Sequence, residues 1–505
     1  MERKWWTLVL ISTATFMLLL DITVVNVALP DIQRELNASL SSLQWVVDAY
    51  SLTLAAFLLT AGSLGDRLGR RRVFTLGFAL FTFASFLCGI AGDPTLLNLA
   101  RGLQGVGGAA MFATSLALIG QEFHGKDRAT AFGVWGATVG GAVAIGPLVG
   151  GLITEHLGWE WIFFVNIPIG VTAIVLTERK IANVVSPDPE PVDLPGLVTF
   201  SSALFLLIFG LIRGNPEGWG SALIVACLGG AAVLLAAFVA IEARSAHPML
   251  DLTLFRKPAF NGVSAVAFGL SAGMFAMFLY LTIYMQGVLD FSPLEAGLRF
   301  LPLTFLSFIA SPIAGTLSHK VPIRILLGLG LGLVGVGLLL MHGVSPDSEW
   351  TALLAGFLIA GVGIGVTNPG IGQAAIAVVP VEKSGMGSGI NTTFRQVGIA
   401  TGIAGLGAVF QSRVDSKLAD LLPNAPAGLG ELVASGGSRA AGAVAPGPAH
   451  ERVVDAANQA FVSGFNEIIL IAAVLSFVGA ALGFLLVRSR DFVQPTDGPA
   501  EPSAG

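Results

Sequence analysis

Fourteen long apolar segments recur along the chain, and each is long enough to cross the hydrocarbon core of a bilayer. They lie at residues 5–29, 44–63, 73–92, 96–119, 129–154, 160–178, 195–213, 220–241, 259–287, 296–317, 323–342, 351–370, 389–411 and 461–487. A transmembrane helix needs about 20 predominantly apolar residues, and lipid offers no hydrogen-bond partners to an open backbone. The sequence therefore predicts an all-α polytopic membrane protein with 14 transmembrane helices.

The composition agrees with this prediction and excludes other classes of protein. Hydrophobic residues make up 54% of the chain and charged residues only 12%, and the mean hydropathy is +0.79, well above that of soluble proteins. The net charge of −5 and the short, scattered basic clusters argue against a nucleic-acid partner. The two cysteines lie in separate apolar segments and the six histidines lack metal-ligand spacing, so we expect no disulfide framework, metal site or cofactor.

Lysine and arginine cluster in the connections on one side of the predicted membrane. Such clusters occur at Arg3 and Lys4, at residues 70–72, and at Arg488 and Arg490, whereas connections on the other side carry fewer basic residues. Basic loops stay on the cytoplasmic side of a membrane. Both termini are therefore predicted to be cytoplasmic, in a multi-pass protein of the cell membrane.

The connection between the second and third segments has a composition that topology alone does not explain. Its sequence GSLGDRLGRRR, residues 62–72, combines an acid and four arginines with three glycines. Glycines permit a tight reversal and the close approach of a neighbouring helix, and an acid among arginines makes charge-assisted hydrogen bonds or caps a helix. A basic loop that only fixes topology needs neither the glycines nor the acid.

This loop resembles the loop 2–3 signature of the major facilitator superfamily. Further motifs that follow in the right order are similar to those of the fourteen-helix drug:proton antiporters within that family, namely LDITVVNVALP (20–30), RGLQGVGGAA (101–110), GPLVGG (146–151), YMQGVLDFSPLEAGLRFLP (284–302) and NTTFRQVGIATG (391–402). Ala142 stands where the antiporter motif has another glycine. The resemblance covers nearly the whole chain.

The resemblance implies a domain organisation. It predicts a six-helix half at residues 1–178, a linker with two inserted helices at 179–258, and a second six-helix half at 259–487 that includes an extracytoplasmic loop at 412–460. Residues 488–505 are expected to form a disordered cytoplasmic tail. Alternating access then comes from one half rocking against the other. GTLSHK at 315–320 occupies the position of the glycine-rich loop in the second half, with Ser318 in place of the acid.

The resemblance also assigns roles to two groups of residues. The loop signature implies that Asp66 acts as a latch between the two halves. The residues expected to take part in gating are Gly62, Gly65, Asp66, Arg67, Gly69 and Arg70. The antiporter signature, together with the glycines and proline of the fifth segment, favours a hinge formed by Gly146, Pro147, Gly150 and Gly151.

Ionisable residues inside apolar segments are the strongest indications of function. Burying such a residue costs several kcal/mol, so it is retained where it has a functional role or forms an ion pair. At 1.5 Å per residue, Asp21 lies in the outer half of the first span and Arg101 near the same side of the fourth, so the two pair or compete if their helices adjoin. Proton coupling or substrate binding is predicted for Asp21, Arg101, Asp48, Glu467 and Arg395. For Asp48 and Glu467 the alternative is an interfacial residue that reaches water.

The predicted protein is a secondary active transporter that exports lipophilic drugs, cationic ones included, in exchange for protons, as a monomer in a bacterial inner membrane. Aromatic and methionine side chains are expected to contact the apolar bodies of substrates, with lipid contact as the alternative, at Phe275, Met277, Phe278 and Met285. Export of an endogenous metabolite stays open, as does a non-transporting receptor or scaffold, which the intramembrane Asp21 and Arg101 disfavour. No complete nucleotide-binding motif is present, so an enzyme or ATP-driven pump is not expected.

Overall fold

The computed structural model describes residues 2–36, 38, 40–182, 192–380, 383–423, 426, 428–436, 442 and 449–492. Regular structure in these residues is helical, as predicted. The predicted disordered tail from residue 493 onward lies outside the described residues, and so does much of the predicted loop at 412–460.

Nine α-helices precede residue 250 in the described part of the chain. Their bounds are α1 (Arg3–Glu35), α2 (Leu40–Leu68), α3 (Arg70–Gly89), α4 (Pro94–Glu122), α5 (Gly125–Leu157), α6 (Trp161–Phe164), α7 (Asn166–Lys180), α8 (Leu194–Glu217) and α9 (Ala222–Glu242). We call α1–α7 the N-terminal half.

Nine further α-helices follow among the described residues, and α10–α18 are called the C-terminal half. They are α10 (Pro258–Leu270), α11 (Ala276–Ile283), α12 (Pro293–Arg299), α13 (Leu301–Leu317), α14 (Ile323–Met341), α15 (Leu354–Ala377), α16 (Ser384–Leu421), α17 (Leu429–Ala434) and α18 (Ala449–Leu486). Two π-helical turns, Ser271–Phe275 and Tyr284–Val288, follow α10 and α11, so that residues 258–288 form one continuous helical segment. The 3₁₀ turns of the described residues include Leu252–Arg256, Trp350–Leu353 and Ser489–Asp491.

Local sequence signals explain where several helices begin. Asp93 precedes α4 and accepts hydrogen bonds from the amides of Thr95 (2.9 Å) and Leu96 (3.0 Å). Asp193 caps α8 in the same way, and Ser292 forms a capping box with Glu295 at the start of α12. A proline stands in the first turn of each of these three helices, where its missing N–H group costs no hydrogen bond.

Twelve helical segments of the described residues are long and apolar enough to cross a membrane. Together with the 33-residue α5 and the 17-residue apolar α13, they correspond one to one to the fourteen predicted segments. The number of membrane crossings stays a prediction.

Several helices extend beyond their predicted bounds, because helical hydrogen bonding continues where the chain has become polar. The clearest case is the segment predicted at 389–411, which is part of the 38-residue α16. Within the predicted connection at 412–460, α16 continues to Leu421 and α18 begins at Ala449.

The hydrophobic core follows the two halves in part. Two clusters consist mainly of side chains of α1–α7, and a larger one consists of side chains between Val263 and Val487. A further cluster joins side chains of both halves to those of α8 and α9, among them Leu59, Phe200, Phe238 and Ile390. The halves contact each other mainly through α2 with α16 and through α5 with α13. We call the end of the molecule where α1 begins and α18 ends the terminal face, and the other end the opposite face.

Helix α8, the first of the two inserted helices, contacts both halves. Near its start, the hydroxyl of Ser201 lies 2.8 Å from the hydroxyl of Thr60 on α2. Near its end, the Asn215 amide donates to the carbonyl oxygen of Ala404 on α16 at 3.1 Å. The insertion therefore bridges the two halves along one edge of the molecule.

Candidate functional site

A buried ion pair joins α1 to α4 in the N-terminal half. The Arg101 guanidinium donates to the Asp21 carboxylate at 2.5 Å, and both side chains are 1% exposed. The two predicted intramembrane residues are therefore in contact. Because a charge buried without a partner is costly, each of these two groups depends on the other.

Further polar groups complete the surroundings of this pair. The Gln104 amide donates to Asp21 at 3.0 Å and to the Ser85 hydroxyl at 2.8 Å, while its oxygen accepts from Arg101 at 2.5 Å. Arg101 also donates to the carbonyl oxygen of Val46 at 2.9 Å, and its guanidinium carbon lies 4.3 Å from the ring centroid of Tyr50. The network links four helices, α1 to α4, through fully buried side chains.

Gln104, Ser85 and Tyr50 were not among the predicted site residues. A signal for Gln104 was present, because it stands three residues after Arg101 and therefore on the same helix face. No comparable signal marks Ser85 or Tyr50, whose positions depend on how α2 and α3 pack against α4.

The glycines of the predicted hinge lie next to Asp21. Gly146 of α5 packs so closely against Thr23 that a Cβ atom there would overlap the threonine side chain, and Gly150 packs against Val24. Gly151 faces open space. Helix α5 continues through residue 147, while the Pro147 side chain lies outside the described part of the chain. The hinge role stays a prediction, but α5 meets α1 within three residues of the buried carboxylate.

Asp66 joins the two halves at the terminal face. Its carboxylate accepts hydrogen bonds from the backbone amides of Gly385 (2.9 Å) and Met386 (2.8 Å), in the first turn of α16. Arg70 holds the same carboxylate with two further hydrogen bonds at 3.0 and 3.1 Å. The first amides of a helix lack intrahelical partners and carry partial positive charge. Asp66 therefore caps a helix of the other half.

Close backbone packing accompanies this cap. A Cβ atom on Gly62 would overlap the carbonyl group of Gly385, and one on Gly385 would overlap that of Gly62. Gly65 packs against Thr114 of α4, where an added Cβ would lie 2.9 Å from the threonine methyl. Gly69 between α2 and α3 has φ +98°, a conformation that L-residues with a side chain rarely adopt.

The linker after α9 is attached to the same face. Arg67 donates to the carbonyl oxygens of His247 (3.0 Å) and Pro248 (3.2 Å). Burial alone would raise the pKa of the nearby Asp251 carboxyl, but hydrogen bonds from Thr253 and the charges of two lysines lower that pKa below its ordinary value. The linker therefore presents a fixed negative charge close to Lys383, where α16 begins.

Asp48 and Glu467 lie in less enclosed positions than Asp21. Asp48 is half-buried on α2, in the electrostatic field of Arg213 of α8. Glu467 on α18 forms an ion pair with Arg413 on α16 at 2.9 Å, with side chains 41% and 54% exposed. This exposure favours the interfacial interpretation of Glu467 over a part in coupling.

Arg395 lies about three helical turns into α16, deeper than the predicted segment suggested. Its guanidinium donates to the Asn368 amide oxygen at 3.1 Å and lies 5.6 Å from the Phe275 ring centroid. Phe275 and Asn368 also line a narrow crevice between α5 and the C-terminal half, and Phe278 lines it with them.

The two methionines that the sequence analysis grouped with these phenylalanines have a different environment. Met277 and Met285 are fully buried in the core of the C-terminal half and do not line the crevice. Lipid contact, the alternative for all four side chains, is wrong for these two.

Many apolar helices, a buried ion pair between two of them and a closed contact between two halves define a membrane transporter. Residues 11–403 match the model of the Major Facilitator Superfamily. The chain belongs to that family, as its motifs predicted.

Two relatives and one solved structure indicate how far the similarity extends. The multidrug resistance protein Stp of Mycobacterium tuberculosis is 37% identical over 413 residues, covering 82% of this chain and 77% of Stp. The tetracenomycin C resistance and export protein of Streptomyces glaucescens is 31% identical over 506 residues, covering 97% and 92%. The structure of the proton:xylose symporter XylE aligns with a TM-score of 0.63 over 96% of each chain, at 13% identity, and so supports the fold alone.

These findings confirm several predictions. The protein is a multi-pass helical transporter with the major facilitator fold, rather than an enzyme. The alternative of a non-transporting receptor or scaffold is thereby set aside. The chain is similar throughout to bacterial proteins.

Proposed function

We propose that this protein exports lipophilic drugs across the bacterial inner membrane in exchange for protons, and so confers antibiotic resistance. The names of the two relatives, one a multidrug resistance protein and the other an antibiotic resistance and export protein, support the export of drugs. The observation that supports proton exchange is the buried Asp21–Arg101 pair.

Asp21 is suited to bind the exchanged proton, since its charge depends on one movable partner. While Arg101 and Gln104 donate to it, the carboxylate is stabilised in its ionised form. A movement that withdraws Arg101 leaves the carboxylate desolvated, and desolvation favours the protonated acid. Protonation in turn weakens the attraction between α1 and α4, so proton binding and helix movement are coupled.

The contact between the two halves at the terminal face suits the stage of the transport cycle in which that face is closed. We propose that this face is cytoplasmic, in agreement with the basic loops, and that the Asp66 cap on α16 holds it closed while substrate leaves at the opposite face. A proton from that side then binds Asp21, the halves rock, and the cap opens. Uptake of substrate at the cytoplasmic face and release of the proton there restore the ion pair. A single chain supplies all of these parts, and we expect a monomer.

Proteoliposomes that contain the Asp21→Asn variant test this proposal. Asparagine keeps the shape of the side chain but neither carries the charge nor releases a proton. We expect substrate-induced proton movement to fall at least 100-fold, measured with a pH-sensitive dye and a drug exported by the wild-type protein.

A matched control separates coupling from general damage to α1. Asp31 lies on the same helix and forms a partly exposed ion pair with Arg34, so Asp31→Asn should leave proton movement within two-fold of the wild-type rate. Both variants are first checked for correct folding by thermal unfolding. Proton movement at the wild-type rate in folded Asp21→Asn protein would exclude Asp21 from coupling.

A further inference from the structure

Two carboxyl groups meet where the inserted helices reach the terminal face. Glu242 is the last residue of α9, and Asp193 stands directly before the first residue of α8. Asp193 Oδ1 accepts a hydrogen bond from the Gly196 amide at 2.9 Å, and Glu242 Oε2 accepts one from the Leu250 amide of the linker at 3.2 Å. The backbone therefore occupies one oxygen of each carboxyl group.

The other oxygen of each carboxyl group borders the same narrow space beside Gly196. A Cβ atom on Gly196 would lie 2.6 Å from Glu242 Oε1 and 2.7 Å from Asp193 Oδ2. Both oxygens are buried without a hydrogen-bond partner among the described residues, and Glu242 is only 4% exposed. Because an ionised carboxylate only accepts hydrogen bonds, two ionised groups leave both oxygens unsatisfied.

The charged neighbours of this space indicate what it holds. Asp193 from α8 and Arg67 from α2 are the charged side chains whose fields act on Glu242, and the field of Asp193 is the stronger. No group of three or more acidic, histidine or cysteine side chains in the described part of the chain is arranged to hold a metal ion, whereas Ca²⁺ and Mg²⁺ take six or more oxygen ligands. A proton needs only the two oxygens.

We propose that Glu242 and Asp193 form a proton-binding site at the terminal face, separate from Asp21, and that the pair carries one proton while this face is closed. The proton is bonded to one of the two free oxygens and donated to the other, so a single proton gives both atoms a partner. Without it, two negative charges border one buried space, and their repulsion acts between the start of α8 and the end of α9.

The linker is coupled to this site, because its Leu250 amide donates to the Glu242 carboxyl group. The side chains of Met249 and Leu250 are 3% and 5% exposed, and they belong to the hydrophobic cluster that includes Leu59 of α2 and Ile390 of α16. Loss of the proton should therefore loosen the linker from both halves. This inference goes beyond the proposed function, since it requires neither a substrate nor proton exchange at Asp21.

Infrared titration of the full-length chain in lipid nanodiscs, without a proton gradient, detects the proton directly. Protonated carboxyl groups have a carbonyl band of their own, which is followed from about pH 5 to about pH 10, the range in which buried carboxyl groups titrate. We expect Glu242→Gln to remove one group from this band near neutral pH. Asp193→Asn keeps an N-cap acceptor but removes the like charge, so the Glu242 contribution should disappear at a pH lower by at least about one unit.

Glu178→Gln is the matched control for the infrared measurement. Glu178 lies at the same face and forms an ion pair with Arg71, with its side chain 44% exposed, so this variant makes the same substitution away from the site and should leave the band unchanged. An unchanged band in Glu242→Gln, or an unchanged titration in Asp193→Asn, would overturn the inference.

Cysteine labelling tests the coupling to the linker. A Met249→Cys protein should be labelled at least about five-fold faster above the titration than below it, as expected from a destabilisation of about 1 kcal/mol; the chain without this cysteine gives the background from the buried Cys88 and Cys227. Glu242→Gln should make labelling slow at both pH values, and a pH dependence that persists in that variant contradicts the inference. The dependence should also be present in an Asp21→Asn background, so the result is independent of the proton exchange proposed for Asp21.

Discussion

Each half buries an arginine deep in one of its helices, Arg101 in the N-terminal half and Arg395 in the C-terminal half, and the surroundings of these two arginines differ. Arg101 on α4 is 1% exposed and is held by a carboxylate, an amide oxygen and a backbone carbonyl. Arg395 on α16 is 9% exposed and is held by one amide oxygen and an aromatic ring. The N-terminal half therefore supplies a counter-charge to Arg101, whereas no carboxylate among the described residues forms an ion pair with Arg395.

The largest effect that this comparison predicts concerns stability. Arg101→Gln leaves Asp21 buried without its cation, and breaking a buried pair costs about 3–5 kcal/mol. Arg395→Gln removes a buried charge that has no carboxylate partner, so the free energy of unfolding should stay the same or rise. Thermal and chemical unfolding of the two variants in the same lipid nanodiscs measures the difference.

A double variant shows whether the loss of stability in Arg101→Gln comes from the Asp21 carboxylate that is left without its cation. Asp21→Asn combined with Arg101→Gln removes both charges and should recover at least half of the lost stability. Equal losses in Arg101→Gln and Arg395→Gln would show that the two arginines do not differ in the way that their contacts indicate.

A second comparison sets Asp66 against Ser318, which occupies the corresponding position of the second half. The Ser318 hydroxyl donates to the carbonyl of Gly315 on its own helix at 2.7 Å, whereas Asp66 reaches across to the other half. The Asp66→Ser variant places in the glycine-rich loop of the N-terminal half the residue that the corresponding loop of the C-terminal half has. Hydrogen bonds to a charged group contribute about 1.5–3 kcal/mol, so the open terminal face should become at least about ten-fold more populated.

Cysteine labelling at the terminal face measures this change, with a single cysteine at a position covered in the closed state. Labelling of the Asp66→Ser protein should be faster and transport slower. Ser318→Ala removes only a hydrogen bond within one helix and serves as the matched control, with labelling unchanged. Equal labelling rates in wild type and Asp66→Ser would show that Asp66 is not a latch.

The smallest effect is expected at the exposed ion pair of the C-terminal half. Glu467→Gln breaks its contact with Arg413, but both side chains are about half exposed, and such pairs contribute less than about 1 kcal/mol. Transport rate and unfolding temperature should both stay close to wild type. A loss of transport as large as that of Asp21→Asn would place Glu467 in the coupling machinery after all.

Much of the fold was predictable, because hydrocarbon permits few structures. The apolar segments located the helices to within a few residues at most ends, and the two largest errors, at the end of α16 and the start of α18, have one cause. Hydropathy marks the part of a helix that suits lipid, but α16 continues through Arg413, Asp415 and Lys417 to Leu421, where water solvates the side chains and backbone hydrogen bonds persist.

The site was predictable only in part. The depth of a residue in the membrane follows from its position along the helix, and this placed Asp21 and Arg101 at similar depths. Which faces of α1 and α4 contact each other depends on helix packing, which no single segment encodes. Asn368 was missed, as one amide in an apolar helix gives no indication that it faces Arg395. The π-helical turn at Ser271–Phe275 leaves no pattern in the sequence at all, since it differs from an α-helix by one hydrogen-bond step.

The bridge formed by α8 has a mechanical consequence. The helix is about 36 Å long at 1.5 Å per residue, and its polar contacts tie Ser201 to Thr60 of α2 near one end and Asn215 to Ala404 of α16 near the other. Under the proposed rocking of the two halves, α8 must move with one half and separate from the other, so one of these two hydrogen bonds must break. The free energy lost with that hydrogen bond opposes the movement, so α8 should favour the arrangement in which both contacts are made.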